Sequence, residues 1–221
     1  MTVVRSATAF HHAHSGVRPD THLRRCVDVA ISLTLLTLLL PVLLLLACAV
    51  RIDSPGPAVY RQQRVGRGGQ PFTIWKFRTM VADADRVGPA VDGTDDPRIT
   101  ALGRRLRAAR LDELPQLVNL LRGDMTLVGP RPEVARFLPC YTARERELLR
   151  VRPGVIGPGA LLFAAEQADE LCAAADPDAY YAAHHLHPKL ALDLAYLTDR
   201  RLRTDLRLVL RAAGVVGAQA H

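Results

Sequence analysis

The residues best suited to chemistry are the adjacent carboxylates Asp112 and Glu113, in the run Leu111-Asp112-Glu113-Leu114-Pro115. An ionised carboxylate is a nucleophile or a metal ligand, and two in contact repel unless a cation lies between them. The pair therefore suits a shared Mg2+ ion, or attack by Asp112 with Glu113 orienting an acceptor. Spacing alone favours a plainer role: acidic residues in a first helical turn are ordinary caps, and the helix dipole would keep Asp112 ionised.

Cations that could grip a phosphate lie nearby in sequence. Strand alternation over Phe72–Arg78 puts Lys76 and Arg78 on one face with Phe72 and Ile74, opposite Thr73, Trp75 and Phe77. Lys76 and Arg78 would then clamp a diphosphate, or else stand as two solvated charges. Arg131 sits between Pro130 and Pro132, where a pre-fixed guanidinium binds an anion at low entropy cost. The stretch Arg150-Val151-Arg152-Pro153-Gly154 continues to Gly159 as a second basic, restrained loop. His11, His12 and His14 could chelate a metal, but no second ligand cluster accompanies them.

These residues need elements to position them. Ala58–Val65 and Phe72–Arg78, separated by a glycine-rich loop, read as a β-hairpin. Asp83–Asp96 reads as a polar loop, and Ile99–Arg110 as an arginine-rich helix. Gln116–Arg122 reads as a helix stopped by Gly123, with Leu114, Leu117, Val118 and Leu121 as its buried face. A short apolar strand leads into Pro130-Arg131-Pro132. From about Ala179 to Val215 the chain is again helical, basic and amphipathic, suited to a membrane surface or to packing on the domain.

Val29–Val50 carries no charged side chain. At about 1.5 Å per residue a helix of that length reaches roughly 33 Å, a bilayer's hydrocarbon thickness. Arg18, Arg24 and Arg25 precede it; Arg51, Arg61, Arg64 and Arg67 follow. Basic flanks at both ends favour a segment that enters, bends at Pro41 and returns, with Thr34 and Thr37 serving the disturbed backbone. A kinked spanning helix is the alternative. The flanks also argue against a cleaved leader, although Leu45-Leu46-Ala47-Cys48 resembles a lipoprotein box. Net charge is +7, which suits anionic lipid and phosphorylated substrates; no zinc-finger, basic-zipper or RNA-binding pattern supports nucleic acid. The four cysteines form no C-x-x-C pair, consistent with a reducing compartment.

Three ordered stretches carry a resemblance: Phe72 to Met80 (FTIWKFRTM), Leu111 to Asn119 (LDELPQLVN) and Arg122 to Pro132 (RGDMTLVGPRP). Together they closely resemble the bacterial sugar transferase family, small monotopic phosphoglycosyltransferases that start polysaccharide and glycoconjugate assembly. The likeness covers roughly Leu23 to Ala213. It implies transfer of sugar-1-phosphate from a UDP-sugar donor to a polyprenyl phosphate acceptor in a membrane lipid setting, with Mg2+. Carried over by position, it implies Asp112 as nucleophile and Glu113 as partner, both at the metal. Lys76, Arg78 and Arg131 would be phosphate contacts. It leaves room for a homodimer.

The expected fold is α+β. A tail (1–22) precedes a re-entrant membrane helix broken at Pro41 (23–52); a mostly helical cytosolic domain with a small β-hairpin (53–215) and a short tail (216–221) follow. The domain would face the cytoplasm from the bacterial inner membrane, without the extra membrane helices of larger relatives. Two departures from the family stand out. Leu40-Pro41 replaces a common Ser-Pro, and Ile156–Gln167 replaces a Trp-Ala-Gln-Val-Asn-Gly-Arg type segment. A catalytically silent scaffold for glycan assembly is the rival reading.

Overall fold

A computed structural model describes residues 16–82, 84, 96–163, 170, 171 and 173–219. His11, His12 and His14, almost all of the expected 83–96 loop, and residues 164–167 of the departing segment lie outside the described residues.

Helix α1 spans His22–Asp53, and the Thr21 side chain caps it by accepting from the Arg24 amide. Helical geometry continues through Pro41, so the expected break is not seen in the backbone pattern. One proline removes one amide from a leucine-rich helix, and Thr37 turns its hydroxyl onto the Leu33 carbonyl at 2.9 Å. Leu33, Leu38, Leu40, Leu44 and Leu45 are exposed, and the helix is long and apolar enough to cross a membrane.

Strands β1 (Val59–Val65) and β2 (Pro71–Phe77) pair antiparallel, with Tyr60 opposite Lys76 and Arg61 opposite Trp75. A 3-10 turn over Arg67–Gly69 joins them, and its positive φ at Gly68 and Gly69 explains the glycines. This is the expected hairpin. Tyr60, Gln62, Arg64, Ile74 and Lys76 share one face by alternation. On the other, the Arg61 guanidinium stacks 4.8 Å from the Trp75 ring, with Arg122 at 4.9 Å from the same ring.

Helix α2 (Ala101–Ala108) starts at Thr100, whose hydroxyl accepts from Gly103 N–H, and is shorter than expected. Helix α3 (Gln116–Arg122) ends at Gly123 with φ 88°, as its sequence anticipates. Its buried face differs from the apolar stripe: Gln116, Leu117, Asn119 and Leu120 point inward. Asn119 turns the helix this way. Its amide accepts from Trp75 N–H at 3.1 Å and donates to the Thr73 carbonyl at 2.7 Å, completing the free edge of β2.

Strands β3 (Thr126–Val128) and β4 (Gly154–Ile156) pair in parallel. The second strand falls in the expected basic loop, where three residues among glycines and prolines show no alternation. A Cβ on Gly154 would lie 2.1 Å from the Gly129 amide nitrogen, so the close pairing requires glycine there.

Helices α4 (Pro158–Phe163), α5 (Pro177–Tyr180), α6 (Leu186–Thr198) and α7 (Leu202–Gln219) complete the described order, with a π turn over Tyr181–His185 joining α5 to α6. The main core gathers Val128, Phe137, Leu148, Val151, Leu186, Leu190 and Leu197. Two smaller clusters clamp α1. Leu35 and Leu36 pack on Ile74, Leu117, Leu120 and Met125, while Leu43, Leu46 and Ala47 pack beside Phe77 and Leu106.

Candidate active site

Asp112 and Glu113 lie in a 3-10 turn, Leu111–Glu113, between α2 and α3. Arg110 enters it with φ 55°, the one positive φ at a non-glycine among the described residues. Such a left-handed turn costs about 1–2 kcal/mol, and it redirects the chain so that both carboxylates follow from one corner.

Glu113 is clamped. Arg131 binds both its oxygens, through Nη2 to Oε1 and through Nη1 to Oε2 at 3.4 Å, while Lys76 Nζ stands 3.6 Å from Oε1. The two cations hold its pKa far below the usual carboxylate range despite burial, and Glu113 in turn raises that of Arg131. Lys76 is pushed down to about 8 because burial outweighs the attraction of Glu113.

Asp112 is different. It is buried, yet its carboxylate forms no hydrogen bond or ion pair among the described residues, and its pKa is raised by that burial against the pull of Lys76, Arg107 and Arg131. The capping role favoured by spacing is not what the fold uses: Pro115 begins α3 with no side-chain cap. Burial is the largest influence on the Asp112 carboxyl and pushes its pKa up.

Lys76 and Arg131 thus meet the dyad as expected, whereas Arg78 does not join them. Its guanidinium donates to the carbonyls of Pro55, of Ser54 at 2.6 Å and of Val50 at 3.2 Å. Strand β2 stops at Phe77, so alternation no longer dictates where Arg78 points. This arginine serves as the C-terminal clasp of α1.

Other residues prepare the site from a distance. Arg107 and Arg64 add positive potential at Asp112 and at Lys76 respectively. Arg64 reaches Gln62 Oε1 at 2.9 Å and the Pro132 carbonyl at 3.4 Å. Behind the Pro130–Glu133 loop, Lys189 Nζ donates to Glu133 Oε1 and to the Tyr181 hydroxyl, both at 2.6 Å, and Tyr181 donates to the same Glu133 oxygen at 2.7 Å. One turn further along α6, Asp193 accepts from the amides of Gly159 and Arg131, with its pKa pushed up to about 7 by burial. Sequence reasoning missed these residues. The i, i+4 spacing of Lys189 and Asp193 on an otherwise apolar helix was the available signal. Gln116 is fully buried, and neither its amide nitrogen nor its oxygen finds a partner.

For Mg2+, the donor set offers one open carboxylate. Both Glu113 oxygens face Arg131, so the dyad does not present two free ligands, and no cluster of three or more His, Cys, Asp or Glu residues occurs among the described residues. Mg2+ commonly binds through one or two carboxylates and substrate phosphates. Asp112 fits that arrangement; Glu113 fits it only if Arg131 releases an oxygen.

A buried carboxylate thus lies beside two cations, on a domain packed along a helix long and apolar enough to cross a membrane. A family model described as bacterial sugar transferase matches residues 19–219. The UDP-glucose:undecaprenyl-phosphate glucose-1-phosphate transferase of Caulobacter vibrioides is 40% identical over 193 residues, covering 85% of this chain and 67% of that protein. A putative undecaprenyl-phosphate N-acetylgalactosaminyl 1-phosphate transferase of Bacillus subtilis is 43% identical over 129 residues, 55% of this chain and 72% of that one. An Escherichia coli UDP-glucose:undecaprenyl-phosphate glucose-1-phosphate transferase is 35% identical, and the match spans 85% of this chain but only 38% of that longer protein. The chain belongs to the bacterial sugar transferase family, and it is an enzyme of that family.

Proposed function

We propose that this enzyme transfers sugar-1-phosphate from a UDP-sugar to a polyprenyl phosphate through a covalent intermediate on Asp112, the initiating step of exopolysaccharide or glycoconjugate synthesis. The observation that carries the reading is the contrast within the dyad: Glu113 is locked between Arg131 and Lys76, while Asp112 is left unpaired beside them.

An Asp112 oxygen forms a bond to the sugar-bearing phosphorus, and the phosphoanhydride bond to the uridine-bearing phosphate breaks, releasing UMP with the bridging oxygen. The polyprenyl phosphate oxygen then attacks the same phosphorus. The acyl phosphate bond breaks, Asp112 regains its carboxylate, and polyprenyl-diphosphate sugar departs. Lys76 and Arg131 balance charge on the non-bridging oxygens during both displacements. Glu113 fixes Arg131 and Lys76 in register. When bound, Mg2+ would neutralise diphosphate charge, held by Asp112 and the donor's own oxygens.

The re-entrant reading of α1 belongs to the same proposal, with the domain on the cytoplasmic face of the inner membrane. Support comes from both ends of α1 touching one domain. Arg25 donates to the Leu120 and Leu121 carbonyls at 2.6 and 2.7 Å, and Arg78 grips the other end.

The test is UMP release by the purified full-length chain with polyprenyl phosphate, Mg2+ and a panel of UDP-sugars. Asp112→Asn should abolish release and retain a native melting curve. Full activity in that variant would sink the nucleophile assignment. Failure with every donor, beside a working relative, would favour the silent scaffold.

A further inference from the structure

Arg110 heads the turn that carries the dyad, with a left-handed backbone at φ 55° and ψ 19°. That conformation suits glycine or asparagine and strains a longer side chain. Two backbone hydrogen bonds hold it in place. The Arg110 amide donates to the Arg107 carbonyl at 3.0 Å, and the Arg110 carbonyl accepts from the Glu113 amide at 3.4 Å. Nothing in this turn calls for an arginine, so the reason for one lies in its side chain; residues kept in strained backbone gather where ligands are held.

That side chain is partly buried, yet it forms no hydrogen bond or ion pair among the described residues. Its charge still reaches Glu113, whose pKa it helps to lower. Glu113 has no oxygen to spare for it, because Arg131 binds both and Lys76 stands 3.6 Å from one of them. The neighbouring arginines are placed differently. Arg107 donates through Nε to Thr79 Oγ1 at 2.8 Å, and Arg78 is held by the last carbonyls of α1. Charge balance gives Arg110 a task. Lys76 and Arg131 offset Asp112 and Glu113 one for one, so these four side chains bring no surplus for an incoming phosphate. A substrate with two or more negative charges needs a further cation at this corner.

We propose that Arg110 is a substrate-phosphate contact, its guanidinium binding non-bridging phosphate oxygens on the Glu113 side of the site. The left-handed turn sets this arginine and both carboxylates on one short hydrogen-bonded loop, which registers the contact to Asp112. The substrate is that of the proposed transfer, on which this assignment rests. Two phosphates visit the site in that reaction, the donor's diphosphate and the acceptor's monophosphate, and both offer the same kind of oxygen.

The test is made on the full chain. Arg110→Gly and Arg110→Asn remove the charge and accept φ 55°, so their melting curves should stay close to the parent's. In a two-step exchange, kcat/KM for UDP-sugar reports the first displacement and kcat/KM for polyprenyl phosphate the second. At least one should fall about 10–100-fold in both variants. A loss confined to UDP-sugar assigns Arg110 to the donor, one confined to polyprenyl phosphate to the acceptor, and a loss in both to the phosphate that the two steps share. Arg110→Lys keeps the charge and should recover part of the loss. A lysine variant as poor as the glycine one, with a lowered melting curve, overturns the contact in favour of a structural role. Calorimetric titration with UDP and with farnesyl phosphate reads the same contact without turnover, as binding weakened about 10–100-fold for at least one probe. A parent that binds these probes but releases no UMP would sink the transfer reading alone, and the calorimetric comparison would still decide the contact. Unchanged kcat/KM and unchanged binding in the glycine and asparagine variants overturn it, leaving a solvated arginine on a turn that glycine serves better.

Discussion

Replacing Glu113 with glutamine keeps the side chain's shape and an oxygen for Arg131 but removes the charge beside Lys76. That ammonium is 3.6 Å from the carboxylate and its side chain is 20% exposed. A unit charge at this distance interacts by about 5 kcal/mol at an effective dielectric of about 20, or roughly 3 pKa units. Arg131 binds the same carboxylate and water reaches one flank of Lys76, so about 1–2 units is the expected net effect. The sign follows from the geometry. Glu113 raises the Lys76 pKa, so its loss lowers that pKa below about 8. Glu113 also raises the Asp112 pKa, so its loss lowers that one too. On the proposed mechanism the free enzyme needs Asp112 ionised and Lys76 protonated, which makes kcat/KM for UMP release bell-shaped in pH. In Glu113→Gln both limbs should move to lower pH together, the alkaline limb from near 8 by about 1–2 units. Measuring kcat/KM between about pH 5 and about pH 10 reads both limbs directly. An alkaline limb that stays fixed or moves upward would refute the reasoning, as would a loss of amplitude with no shift.

Arg78→Ala should act through α1 and not through the donor. Removing the clasp on the Val50, Ser54 and Pro55 carbonyls should cost about 2–4 kcal/mol of stability in thermal denaturation, with KM for UDP-sugar little changed in folded enzyme. A large KM effect at unchanged stability would restore Arg78 to the phosphate site. Lys189→Met should destabilise by about 3–5 kcal/mol, because it strands a buried Glu133 carboxylate. Adding Glu133→Gln should recover about half of that loss in the same melting assay.

Much of this was legible where short-range pattern and backbone geometry coincide. The hairpin announces itself by alternation around a glycine loop, and α3 by its length and its terminal Gly123. Lys76, Arg131 and the dyad were found through their motifs, and the fold brings all four together. Arg78 went astray because alternation describes a strand only while the strand lasts. What holds this arginine is a set of carbonyls more than twenty residues earlier. The buried face of α3 was misread for a related reason: Asn119 is polar, yet the unpaired edge of β2 makes it the best inward residue. The link from Glu133 to Lys189 and Tyr181 crosses roughly fifty residues, and no local period reports such a contact.

The deepest consequence concerns why the site assembles against a membrane helix at all. Three chain segments carry it, and α1 touches each. Asp28 accepts from Leu127 N–H at 3.0 Å and Thr126 Oγ1 at 2.9 Å, fixing the strand that runs into Arg131. Arg25 holds the last carbonyls of α3, the helix that follows Asp112 and Glu113. At the other end, the final carbonyls of α1 hold Arg78, two residues beyond Lys76. Asp112, Glu113, Lys76 and Arg131 are thus registered to one another partly through α1, the helix long and apolar enough to cross a membrane. On the proposed function, an acceptor carried in lipid would reach a site whose geometry already depends on the helix beside it. An arrangement of the same motifs without α1 would lose these fixed points, which accounts for Asp28 being buried on this largely apolar helix.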